Sequence, residues 1–169
     1  MSAPRSRRAP RALPRLVAAA SVAVAALAAL TACSQPVPFD PAPDAADPAC
    51  AAVVVRLPDE VAGQAERETN AQGTGAWGSP ASVLLRCGVE PPGPTTLRCV
   101  SVDDVDWIID ESDAPRYRFT TYGRTPAVEV VVDNDVVPGT TVITDLSAAV
   151  GAIPAEGGCT DLEEPAPEG

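Results

Sequence analysis

Neither lysine nor histidine occurs anywhere in the 169 residues. Without histidine the chain cannot assemble a Ser-His-Asp or Cys-His nucleophile pair, nor a zinc site with imidazole ligands. Without lysine it has no amine for Schiff-base chemistry and no P-loop lysine. Positive charge is scarce as well: 12 basic residues stand against 23 acidic ones, a formal net charge of −11. Five of the arginines (Arg5, Arg7, Arg8, Arg11 and Arg15) crowd the amino terminus, and every acidic residue lies after Cys33, so the remainder is more acidic still. Nucleic acid and anionic lipid headgroups are poor partners for such a surface. A cationic partner, loosely held divalent ions or plain solubility fit it, and solubility is the simplest. The abundance of Ala, Pro, Val and Arg reads first as a coding bias toward GC-rich codons.

What is present begins with a targeting signal. The arginines are followed by an almost unbroken apolar run from Leu16 to Leu30, a basic region leading into a hydrophobic one, as in an export signal. Fifteen residues of helix reach only about 22 Å, short of the roughly 30 Å hydrocarbon core, which argues against a permanent span. The run ends in Leu30-Thr31-Ala32-Cys33. This resembles the lipobox of bacterial lipoproteins: a branched apolar residue, two small residues, then cysteine. The resemblance implies a signal peptide over 1–32 that is removed, with a diacylglycerol on the Cys33 thiol holding the protein to the extracytoplasmic face of the cell membrane. Two or three acyl chains anchor far more firmly than one. It also gives an owner to the odd one of five cysteines. The alternative is an ordinary secretory signal, with Cys33 free or paired between chains. Ser6-Arg7-Arg8 hints at twin-arginine export without the rest of that pattern, so the export route stays open.

Residues 33–48 carry prolines at 36, 38, 41, 43 and 48 and read as an extended spacer between membrane and domain. A domain is expected over 49–159, and an acidic tail without fixed structure over 160–169. Asp47-Pro48 suits a helix start, with Cys50, Val53, Val54 and Leu57 at helical spacing before Pro58. A second short helix is expected over 59–68, and a loop from Asn70 to Gly75.

Beyond the loop the period changes to two. Val83, Leu85, Cys87 and Val89 share one strand face. Pairing that strand with residues 97–102 opposes Cys87 to Cys99, at a separation that suits a disulfide. Cys50 would then pair with Cys159, although four cysteines permit three pairings. Val105, Trp107 and Ile109 alternate inward, as do Tyr117, Phe119 and Thr121. A hairpin opposing Trp107 to Phe119 and Ile109 to Tyr117 also opposes Asp110 to Arg116. The next strand sets Val128, Val130 and Val132 against Thr121, Phe119 and Tyr117. A closing helix, capped by Thr140 or Thr141, carries Ile143, Leu146 and Val150 and stops at Gly151. The fold class expected is α+β: an antiparallel sheet of about five strands flanked by an N-terminal and a C-terminal helix, with two disulfides.

The strings AWGSPASVLLRCGVEPP and FTTYGRTPAVEVVV, the Leu57-Pro58 helix stop and the lipobox together resemble a family of small actinobacterial envelope proteins of unknown function, DUF3515. The resemblance spans the folded part, about 49–159, and implies an exported, membrane-tethered domain. It brings no activity, substrate or catalytic residue.

Trp77, in Trp77-Gly78-Ser79-Pro80, is a candidate recognition residue or a turn residue packed on the sheet end. Tyr122 is a second candidate. Arg86 faces either an anionic ligand or, more simply, an aspartate on a neighbouring strand. Asp103, Asp104, Asp106, Asp110, Glu111 and Asp113 could hold Ca²⁺ or form an acid/base pair. No EF-hand loop is complete, however, and alternation explains most of them as a solvated face. Asp133-Asn134-Asp135 reads as a turn. No catalytic, metal or cofactor-binding residue is assigned. The favoured reading is a non-catalytic envelope lipoprotein that binds a protein or cell-wall component; the alternative is a glycan-acting enzyme with an Asp/Glu pair. Replacing Cys33 with Ala is expected to move the protein from the membrane to the soluble fraction. Persistent membrane association on cell fractionation would overturn lipidation.

Overall fold

The structure is a computed structural model, and it describes residues 35–159. The expected signal over 1–32, Cys33 and the acidic tail over 160–169 lie outside those residues. Two helices and eight strands follow in chain order: α1 (Pro48–Val54), β1 (Glu60–Val61), β2 (Gln64–Arg67), β3 (Thr74–Trp77), β4 (Val83–Val89), β5 (Arg98–Val102), β6 (Val105–Asp113), β7 (Arg116–Thr121), β8 (Ala127–Asp133) and α2 (Gly139–Val150). The strands form one antiparallel sheet in the order β1-β2-β3-β4-β8-β7-β6-β5. Both helices cover the same face. Cys50 and Val53 of α1, with Val142, Ile143, Leu146 and Val150 of α2, join one core with Trp77, Leu85, Trp107, Phe119 and Val128. The α+β class holds, with eight strands where about five were expected. Among the described residues no helix is long and apolar enough to cross a membrane.

One of the three extra strands, β3, takes up Thr74 and Gly75 of the expected loop, and the other two come from a segment whose composition points the other way. Residues 59–68 are rich in Ala and Glu, good helix formers, yet they fold as the β1–β2 hairpin. Ala62 and Gly63 adopt φ of 49° and 75°, the double left-handed turn that matches strand twist. The Ala62 N–H donates to Asp145 Oδ2 on α2 at 2.8 Å, so a tertiary contact holds the turn against local propensity. Helix α1 starts as expected, with the Asp47 carboxylate accepting from the Ala49 N–H at 2.7 Å. Helix α2 ends at Gly151 as expected, but neither threonine caps it: the Asn134 side chain accepts from the Gly139 N–H at 3.1 Å.

Inward faces hold except at Val89, which a bulge after Cys87 sets opposite Ala127, and registers hold in part. Tyr117 opposes Val132 and Phe119 opposes Val130, as the alternation requires. The β6–β7 hairpin is shifted by two residues: Ile109 opposes Phe119, Trp107 opposes Thr121, and Asp110 opposes Arg118 rather than Arg116. Two features combine: the chain turns tightly at Ala114-Pro115 where a longer connection was expected, moving the register by three, and a bulge between Asp110 and Asp113 takes back one. A two-residue slip preserves the inward face, so the core is indifferent to it.

The expected disulfides are corrected. Cys50 pairs with Cys87 at a Cα separation of 5.5 Å, and Cys99 with Cys159 at 5.9 Å. β4 and β5 are not neighbours; β8, β7 and β6 stand between them. Four strand spacings put Cys87 about 19 Å from Cys99, beyond any disulfide.

The spacer expected over 33–48 is corrected over its described residues, because that segment lies along the domain. The Val37 N–H donates to Glu68 O at 2.8 Å, and the Asn70 N–H donates back to Val37 O at 3.3 Å. Ala42 and Ala45 are buried, and the Asp44 N–H donates to Gly88 O at 3.0 Å. Gly88, at φ 97°, sits so close to the Asp44–Ala45 backbone that a Cβ there would collide with it. Proline sets an extended path whose free backbone groups pair with whatever edge they meet. Non-reducing peptide mapping is expected to recover Cys50–Cys87 and Cys99–Cys159. The bridges close chain separations of 37 and 60 residues, so removing either by Cys→Ser should cost about 4 kcal/mol in urea denaturation.

Candidate functional site on the outer face of the sheet

The period that buries Val83, Leu85 and Cys87 points Ser82, Leu84 and Arg86 away from the helices. On β8 the same alternation turns Glu129 and Val131 outward, and on β7 Arg116, Arg118 and Thr120. Arg86 lies directly across from Glu129, and Arg118, opposite Val131, is diagonal to it. The Arg86 guanidinium donates to Glu129 Oε1 through Nε at 3.2 Å and Nη2 at 2.5 Å. Arg118 Nε approaches Oε2 at 3.1 Å. The carboxylate side chain is only 11% exposed, against 37% and 50% for the two arginines. One carboxylate thus ties two guanidiniums and leaves a formal charge of +1 on a chain that is otherwise acidic. Both arginines also line an open groove on this face.

That groove holds about 220 Å³ and is lined by Pro38, Phe39, Asp40, Leu84, Arg86, Arg118, Glu129 and Val131. Its apolar wall comes from the segment read as a spacer. Phe39 is held there because its backbone N–H donates to Asn70 Oδ1 at 2.7 Å. A smaller depression of about 130 Å³ continues the groove past Leu84 and Val131 to Ser82, Arg116 and Asp133. The Ser82 hydroxyl is buried there and finds no partner among the described residues.

Of the residues singled out from sequence, Arg86 alone lines this groove. Its partner is a glutamate on the neighbouring strand, where an aspartate was expected. Trp77 is corrected as a recognition residue: it is fully buried in β3, its indole N–H donating to Pro58 O at 2.9 Å. Tyr122 is half-buried just beyond β7, its backbone N–H donating to Asp106 O at 2.8 Å.

The acidic set does not converge. Asp103 and Asp104 form the tight β5–β6 turn, at φ of 47° and 63°. Asp106 spends both oxygens on structure: Oδ1 accepts from the Ser101 hydroxyl, and Oδ2 from the Cys159 N–H at 2.7 Å. The Ser112 hydroxyl and N–H hold the Asp110 carboxyl below its ordinary value, outweighing slight burial, with the Arg118 charge adding to them. What Asp110 adds to stability is therefore present above the ordinary carboxylate pKa and lost as pH falls through the lowered one. The group is partly exposed, so solvent screening keeps the contribution small. Among the described residues no three acidic or cysteine side chains are placed to hold a metal ion.

A family model of proteins of unknown function, DUF3515, matches residues 12–157. The chain belongs to this family. No curated protein and no solved structure matches it.

This DUF3515 chain also carries a residue that sequence reasoning missed. Arg124 is 5% exposed, and its guanidinium donates to Ile153 O and, at 2.6 Å, to Asp104 O. It clamps the segment after α2 to the β5–β6 turn, and two carbonyl dipoles replace the water its charge has lost. No periodicity marks it, since it sits alone after Gly123. Asp106→Ala is expected to cost about 1–3 kcal/mol by urea denaturation, because it frees the Cys159 N–H and the Ser101 hydroxyl together. Exposed Asp113→Ala should stay within about 0.5 kcal/mol.

Proposed function

We propose that this chain is an exported lipoprotein, anchored through Cys33 at the extracytoplasmic face of the cell membrane, that serves as a non-catalytic binding module of the cell envelope. The observation that carries the reading is the outer-face groove, in which Glu129 holds Arg86 and Arg118 in place beside an apolar wall. Arginine pairs fixed by a largely buried carboxylate are suited to holding a ligand and unsuited to transferring a proton, since a guanidinium does not titrate near neutrality. Two disulfides are in keeping with an oxidising compartment.

An anchor at Cys33 would confine the module to the membrane surface. A module restrained in this way meets partners of the envelope at high effective concentration. In-cell cross-linking of the full-length protein should capture a reproducible partner that is lost from a Cys33→Ala control. Capture that is the same with and without Cys33, or no capture at all, would remove the anchored-module reading.

A further inference from the structure

We infer that the open edge of β5 pairs with the same strand of a second copy of this chain, joining two sheets antiparallel about a two-fold axis through Val100. β5 ends the sheet and pairs only with β6. The register between them runs from Arg98↔Ile109 to Val102↔Val105 without a bulge, and the two-residue turn at Asp103-Asp104 closes the hairpin. In such a hairpin the residues flanking the turn exchange both backbone bonds, so Val102, Val100 and Arg98 spend their N–H and C=O groups on β6. Cys99 and Ser101 must then direct theirs out of the sheet. Among the described residues no backbone group from elsewhere meets them. Cys159 reaches Cys99 over the outer face, its N–H donating to Asp106 at 2.7 Å, and so leaves the edge itself open. Neither proline nor bulge blunts this edge.

One register of self-pairing uses these groups. With Val100 on the axis, Cys99 of one copy stands opposite Ser101 of the other, and each such pair exchanges both backbone bonds. The contact is isologous and therefore closes at two copies. Half-buried Val100 meets its own counterpart on the face that carries the helices. Charge favours the same direction. Arg98 is exposed and makes no ion pair among the described residues; in this register it lies opposite Val102 and diagonal to Asp104 of the other copy, at both ends of the ladder. Each copy brings this one cation and the two aspartates of its turn, a net −1 apiece. The two acidic turns lie at opposite ends, at least six strand residues or roughly 20 Å apart. That exceeds the Debye length of roughly 8 Å at physiological salt, so their repulsion is screened while each arginine sits beside an aspartate. A parallel pairing would set the two acidic turns side by side.

The test follows the full oxidised chain carrying Cys33→Ala by sedimentation velocity, from micromolar to millimolar protein. A reversible monomer–dimer equilibrium is expected. Ser101→Pro removes a donor that β6 does not use, and should weaken the dimer at least about tenfold with the circular dichroism of the monomer unchanged. Arg98→Glu should weaken it by a similar factor; this change touches only an exposed side chain, so it decides the matter should Ser101→Pro fail to fold. Cross-linking reads the register. Val100→Cys should oxidise to a covalent dimer joined at position 100, because a pair on the axis that exchanges no backbone bonds sets its Cα atoms about 4.5 Å apart. Thr96→Cys, which this register holds roughly 27 Å from its counterpart, should not. A monomer throughout the range, a dimer that Ser101→Pro and Arg98→Glu leave unchanged, or cross-linking at position 96 as fast as at position 100 would each overturn the inference.

Discussion

The ladder between β4 and β8 sets the place of every other part of this domain. Val83 to Val89 and Ala127 to Asp133 are some forty residues apart in sequence, yet they form the central pair of the sheet. Their inner faces, Val83, Leu85 and Cys87 against Val128, Val130 and Val132, are fully buried and make the floor on which both helices pack. Once β8 occupies that side of β4, the strand that follows β4 in sequence cannot pair with it. Residues 98–121 are therefore carried to the far side of β8, as the β5–β6–β7 meander.

The same pairing assigns the disulfides. Cys87 points into the core beneath α1 and meets Cys50. Cys99, on the opposite edge strand, meets Cys159 as the chain returns from α2. Arg124 and Asp106 hold that returning segment from two sides, one through carbonyl oxygens and one through a backbone N–H. The carboxyl-terminal part of the domain is thereby fastened by a covalent bond and by polar contacts whose partners would be costly to leave unpaired.

The groove is a by-product of the ladder on its other face. Strand alternation, having placed the apolar set inward, must place Leu84, Arg86, Glu129, Val131 and Arg118 outward. The β4–β8 and β8–β7 registers then bring two cations to one carboxylate. Phe39 and its neighbours complete the groove only because Asn70 and Glu68 offer partners to the backbone of the proline-rich segment. An element read as connection between anchor and domain thus supplies a wall of the site.

Much of this was legible in the residues. The inward sets of β4, β6, β7 and β8, the start of α1, the end of α2 and the β7–β8 register follow from period two, period 3.6 and cap chemistry, because burial enforces those periods wherever a segment has one apolar face. The membership in DUF3515 was legible too, in strings that span several elements. What tertiary structure alone decided is which elements meet. Helix-forming composition over 59–68 yielded to a hairpin fixed by Asp145, and the β6–β7 slip was decided by a tight turn together with a bulge. The disulfide partners and the Arg86–Glu129–Arg118 cluster were decided by β8 entering beside β4. Local patterns report which way a side chain faces, whereas strand order depends on closing long loops over the best shared core, and that free energy is spread across the whole chain.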